Sequence, residues 1–184
     1  MSEIRLTTPL TEKQARELKI GDKVLLSGKI YTARDAAHKR LVELLKKGEP
    51  LPFPVEGSAI YYVGPAPAKP GQPIGSAGPT TSERMDPYSP TMMKAGMRAM
   101  IGKGPRTKEV NEAMKQYGCV YFGATGGAGA LIAKSIKAAK IVAWEELGAE
   151  AIRELVVEDF PLIVVGDAES RSLYEEGKAK YERK

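Results

Sequence analysis

The stretch Lys23–Gly48, KVLLSGKIYTARDAAHKRLVELLKKG, changes its hydrophobic period halfway along. Its first half holds two apolar, strand-like runs, Lys23–Ser27 and Lys29–Ala33, around Ser27-Gly28. A Ser-Gly step between such runs predicts a hairpin. Its second half sets Ala37, Leu41, Leu44 and Leu45 on one helical face. Asp35 stands where an N-cap is expected, and Lys46, Lys47 and Gly48 are stop signals. A strand feeding directly into a helix points to an α/β domain.

The same alternation extends outward. Ile4 and Leu6 alternate with polar residues in Glu3–Thr7, as a strand would. Thr11 and Gln14 have capping-box spacing for a short helix through Leu18. Beyond Pro90 the pattern predicts a short helix over Pro90–Gly96 and a strand over Arg98–Ile101. Thr107 then caps a helix through Tyr117, with Val110, Met114 and Tyr117 on one face and Gly118 as its stop. Cys119–Phe122 reads as a buried strand, and Gly126–Ile136 as a helix opened by glycines. Lys140–Ala143, Leu155–Val157 and Leu162–Val165 are strand candidates, and Ser170–Tyr181 a polar terminal helix. Strands alternating with helices, plus an N-terminal hairpin, predict a mixed sheet with flanking helices.

Residues 50–90 differ from the rest. They hold ten of the thirteen prolines, and between Val63 and Glu83 the only charge is Lys69. Proline lacks the backbone donor and fixes φ, so Gly64–Pro79 is neither helix nor central strand. A long ordered loop inside a compact domain is usually functional.

Composition narrows the function. The 184 residues suit one domain, 1–184, and no run approaches the roughly 20 apolar residues of a membrane helix. Met1–Ile20 is polar and lacks a signal-peptide core. Cys119 is the only cysteine and His38 the only histidine, so the chain can form neither an internal disulfide nor a four-cysteine zinc site or three-cysteine iron–sulfur site by itself. A reducing, cytoplasmic compartment is expected. The net charge of +5 is unevenly spread: residues 88–140 carry nine Lys/Arg against two Glu, and 141–170 carry eight acids against one Arg. The basic residues are scattered and poor in aromatic neighbours, which argues against nucleic acid and for a small anion or an acidic partner surface.

Three segments set reactive groups in loops. Arg34 lies where a strand meets a helix. Thr80, Thr81, Ser82 and Arg84 end the proline-rich stretch, and Lys103 lies between Gly102 and Gly104. Arginine suits bidentate carboxylate recognition and lysine supplies a point charge, so convergence of these loops would build a dicarboxylate site. The run Gly123–Gly129 follows a strand and opens a helix, where backbone N–H groups can bind anions, but it fits neither G-x-G-x-x-G nor the P-loop spacing. Small residues there also permit close helix–sheet packing.

These segments resemble one family. Gly28–His38, with its Ala33-Arg34-Asp35-Ala36-Ala37-His38 core, resembles the β subunit of class I (iron–sulfur) fumarate hydratase, and L-tartrate dehydratases share it. Tyr62–Pro65, Gly75–Thr81, Arg84-Met85-Asp86, Ile101–Gly104, Phe122–Gly127 and Val157–Pro161 continue the likeness in order. The resemblance implies a swivelling β/β/α domain with a substrate loop within about 64–90. It also implies a partner α subunit whose cysteines carry a [4Fe-4S] cluster, with none held by this chain. By the same likeness Arg34 and Arg84 bind substrate carboxylates, Thr80 acts in proton transfer, and Lys103, aligned across a one-residue gap, binds substrate. The implied reaction is reversible hydration of fumarate to L-malate, with L-tartrate dehydration as the close alternative; the residues by themselves also fit a non-catalytic anion-binding module. His38 and Asp86 lie in the motifs without an assigned role. An isolated β subunit would be expected to self-associate through surface meant for α.

Overall fold

The computed structural model describes residues 3–124 and 129–182. Four strands run parallel through its centre: β2 (Lys23–Thr32), β3 (Ala59–Tyr61), β4 (Ala99–Gly102) and β5 (Val120–Gly123). A long strand, β7 (Ile152–Gly166), runs antiparallel to them and pairs with both β5 and β2. The sheet therefore closes on itself through β2, β3, β4, β5 and β7. The short β1 (Ile4–Thr7) adds in parallel to the first half of β2, and β6 (Ile136–Ala143) pairs antiparallel with β7. Closure satisfies backbone donors and acceptors that an open edge would leave to solvent.

Alternation along the strands splits the core in two. Leu26, Ile30, Tyr61, Ile101, Phe122 and Phe160 gather in one cluster, joined by Leu18 and by Ile132 of α5 (Gly129–Ser135). Their sequence neighbours Tyr31, Ile60, Tyr62, Met100 and Tyr121 belong to a second cluster, shared with three helices. These are α2 (Asp35–Lys47), α3 (Ser89–Lys94) and α4 (Lys108–Tyr117). The helix α1 (Glu12–Glu17) follows its predicted capping box: the Gln14 N–H donates to Thr11 Oγ1 at 3.2 Å and the Thr11 N–H to Gln14 Oε1 at 2.9 Å. The polar α6 (Leu173–Tyr181) closes the described chain. Among the described residues no helix is long and apolar enough to cross a membrane.

Two expectations change. Lys23–Thr32 is one strand, not a hairpin. Ser27-Gly28 marks a bulge, where the register passes from Leu26 opposite Phe160 to Gly28 opposite Val157. Gly28 is required there, since its φ is +104° and a Cβ would lie 2.5 Å from Thr8 Oγ1. Leu155–Val157 and Leu162–Val165 are likewise parts of the single strand β7. A bulge and a turn use the same residues, and only the strand alongside distinguishes them.

Candidate functional site

Because β2 to β5 are parallel, their carboxyl ends share one rim of the sheet. In α/β sheets that rim is where ligands bind. Arg34 follows β2, Gly64 follows β3, Lys103 follows β4 and Ala124 follows β5. The glycine-rich segment begins there too, but its residues 125–128 lie outside the described part of the chain.

Arg34, not Asp35, occupies the N-cap of α2, with extended backbone and no capping side-chain hydrogen bond. The missing cap comes from far along the chain. The Ala36 N–H donates to Glu150 Oε2 at 2.9 Å, while Glu150 Oε1 lies 3.4 Å from Arg34 Nη2. Asp35, in the first turn, joins the two predicted arginines. Its Oδ2 accepts from Arg84 Nη2 at 2.6 Å, and its Oδ1 lies 3.8 Å from Arg34 Nε. Arg34 Nε and Asp35 Oδ1 are buried without a hydrogen-bond partner. Gly64 makes room for this arginine: a Cβ there would lie 2.8 Å from Arg34 Nη1. The Arg34 side chain is 21% exposed and that of Arg84 51%.

Thr80 and Lys103 are reached through the backbone. The Thr80 N–H donates to the Tyr62 carbonyl at 2.7 Å, just past β3. Thr81 bridges to Lys103 in parallel, and the Ser82 N–H donates to the Lys103 carbonyl at 2.9 Å. The loop end is thus laid along the tips of β3 and β4. Thr80 is half-buried and Lys103 exposed. Among the described residues no carboxylate or imidazole hydrogen-bonds the Thr80 hydroxyl.

Residue types alone did not point to the parts that hold this rim in place. Asp86 and Arg106 form a buried pair: Arg106 Nε donates to Asp86 Oδ1 at 2.6 Å and Nη2 to Ser89 Oγ at 2.7 Å. Asp86 Oδ2 also accepts the Thr107 N–H at 2.7 Å, capping α4. The Arg106 guanidinium lies over the Tyr62 and Tyr121 rings, 5.4 and 4.9 Å from their centroids. The Tyr121 hydroxyl meets Ser82 Oγ at 2.8 Å. Asp86 therefore anchors the segment that carries Thr80 and Arg84. A carboxylate and an arginine 20 residues apart carry no local signal of pairing.

His38, which the motifs leave without a role, is fully buried. Its Nδ1–H donates to the Arg34 carbonyl at 2.9 Å, and its ring meets Tyr62 edge-on. Burial holds the imidazole neutral, pushing its pKa from 6.5 down to about 4, with Arg106 adding to the shift. Cys119 is buried in the second cluster, and its thiol donates to the Met97 carbonyl at 3.0 Å. Burial pushes that thiol up to about 12, which does not suit a thiolate ligand. Among the described residues no three His, Cys, Asp or Glu side chains group as a metal site. An iron–sulfur cluster finds no fitting donor set among these residues.

Arg34 and Arg84 carry two positive charges, and Asp35 and Glu150 two negative ones. The rim can hold a carboxylate between two guanidiniums, as Asp35 already demonstrates. The cluster is partly exposed, most of all at Arg84. Grooves of about 460 and 580 Å³ flank the proline-rich loop, lined by Pro67, Pro73 and Ile74, but none of the four predicted site residues lines either.

Fold and rim define a mixed α/β domain that gathers arginines and a lysine near the ends of parallel strands. The chain belongs to the Fumarase C-terminus family, which it matches over residues 1–177. It is 45% identical over 181 residues to the provisionally named L(+)-tartrate dehydratase subunit beta of Methanocaldococcus jannaschii, covering 95% of this chain and 93% of that protein. It is also 41% identical over 164 residues to fumarate hydratase 2 of Leishmania major. It is 37% identical over 177 residues to the anaerobic class I fumarate hydratase of Escherichia coli. Those matches cover 88% and 94% of this chain but 29% and 32% of the relatives, so it spans about a third of the fumarate hydratases it resembles.

Proposed function

We propose that this chain is the β subunit of a two-subunit hydro-lyase that interconverts fumarate and L-malate, and that it supplies the dicarboxylate-binding side of the active site. The observation that most supports this reading is the convergence of Arg34 and Arg84 on one carboxylate at the rim. Arg34 and Arg84 hold the substrate carboxylates, and Lys103 adds positive charge beside the Thr80 segment. Removing the proton next to a carboxylate builds negative charge on that group. Fixed cations aimed there stabilise the transition state more than the ground state. Thr80 moves the proton, and because a free hydroxyl is a weak base, it needs an activating carboxylate from the partner. The cluster, with its cysteines, belongs in this proposal to that α partner, and the domain swivels to close over it. The exposure of Arg84 and Lys103 and the absence of a base at Thr80 among the described residues agree with a shared site. The lone, buried Cys119 suits a cytoplasmic setting.

The similarity to the Methanocaldococcus protein over nearly its whole length favours a second substrate, L-tartrate, differing from malate by one hydroxyl. Co-expression with the cluster-bearing subunit, followed by assays on malate and tartrate, separates the two. In the reconstituted enzyme Thr80→Ala should lower turnover by at least about 100-fold, the usual weight of a positioned acid–base group. Near-normal turnover removes Thr80 from the mechanism. Activity of the chain alone overturns the shared site.

A further inference from the structure

The segment between β6 and β7 lies against the start of α2, and Glu150 stands just before β7 begins. Several contacts hold it there. Arg40 pairs with Glu146, and its guanidinium lies 5.4 Å from the Trp144 ring centroid. Arg153 grips the carbonyls on both sides of Glu150: Nη2 donates to Gly148 at 3.0 Å, and Nη1 to Ala149 at 3.3 Å and to Ala151 at 3.1 Å. The Thr32 hydroxyl donates to the Ala151 carbonyl at 3.3 Å and accepts the Arg153 N–H at 3.0 Å, tying this segment to the end of β2. A segment fixed at so many points is a brace rather than a lid.

What the brace delivers is one carboxylate with two tasks. Its Oε2 takes the Ala36 N–H, a cap that the Arg34 side chain cannot supply because it has no acceptor. Its Oε1 faces Arg34 Nη2, and Gly64 lies close to Nη1. Arg34 Nε makes no hydrogen bond. The guanidinium is therefore held at one end by Glu150 and crowded by Gly64, with its Nε–H left unpaired.

We infer that Glu150 is a positioning residue for Arg34, aligning its guanidinium for a substrate carboxylate without touching the substrate. The inference rests on the proposed role of Arg34 and names the residue that makes that role geometrically possible. Replacing Glu150 frees Arg34 to rotate among its many rotamers, and misplacing a binding group by about 1 Å costs up to roughly 100-fold in rate.

The test uses the reconstituted enzyme. Glu150→Gln keeps an oxygen for the Ala36 N–H but loses the charge facing Arg34, so fold and cap persist while the alignment goes. We expect kcat/KM to fall on the order of 10- to 100-fold, mainly through KM, with the melting temperature little changed. In an Arg34→Ala background the same change should cost no more than about twofold further, because the two act as one unit. A second readout needs no activity: in the nitrogen-15-labelled chain the Arg34 Nε–H resonance should shift and broaden in Glu150→Gln. A full effect of Glu150→Gln in the Arg34→Ala background, or wild-type kinetics together with an unmoved Nε–H resonance, overturns the inference and leaves the site reading intact. Wild-type kinetics in Arg34→Ala itself overturns the site reading instead.

Discussion

Arg84 and Asp86 lie two residues apart, and each pairs with an opposite charge at 2.6 Å: Arg84 with Asp35, Asp86 with Arg106. Equal distance hides opposite jobs. In the Asp86–Arg106 pair the side chains are 5% and 1% exposed, and further hydrogen bonds occupy both partners. In the Arg84–Asp35 pair they are 51% and 30% exposed, and Asp35 Oδ1 is left without a hydrogen bond. A saturated buried pair is committed to the fold. An unsaturated pair at a rim can exchange one partner for a ligand. The length of an ion pair therefore says little about its role; burial and unused hydrogen-bonding capacity say more.

The contrast can be broken first at its buried end. Arg106→Ala leaves Asp86 buried and unpaired, and should cost about 3–5 kcal/mol in urea unfolding. A loss below about 1 kcal/mol would mean that the pair does not anchor the loop. Next, His38, one turn after Arg34, is held neutral by burial. Its folded pKa of about 4 lies below the ordinary 6.5, so between those values the unfolded chain binds a proton that the folded chain refuses. Stability then falls as pH drops from about 6.5 to about 4, by up to something on the order of 3 kcal/mol, and this contribution flattens below. Melting curves across that range should show a steeper acid loss for wild type than for His38→Gln; parallel curves would place the histidine in contact with water. The smallest effect on stability is expected at the rim. Arg84→Gln should change unfolding by less than about 1 kcal/mol, as exposed pairs do. Its KM for the dicarboxylate should nevertheless rise at least tenfold, and a large stability loss would make the two pairs alike.

Much of the fold was legible locally. The capping box at Thr11, the stripe Ala37–Leu41 of α2 and the Gly118 stop of α4 each express a preference satisfied within a turn or two of chain. Ser27-Gly28 was misread because a glycine at positive φ serves turns and bulges alike. Part of the site was legible as well: Arg34, Thr80, Arg84 and Lys103 stand out as reactive groups on loops, and the likeness to the fumarase family gave them roles that remain proposals. Asp35 was read only as a cap, Asp86 carried no role, and Glu150 drew no notice, since an acid in an acid-rich segment resembles any solvated residue.

Sequence by itself determined most of the helices, the alternation of strands with helices, the residue types at the strand ends and the membership of a family. Tertiary structure alone decided that the sheet closes through β2 and β7, and which arginine meets which carboxylate. The reason is physical. Helix and strand periods are read over a few neighbouring residues. The Ala36–Glu150 contact spans 114 residues and exists only once β7 has paired with β2 and brought its leading segment to the start of α2.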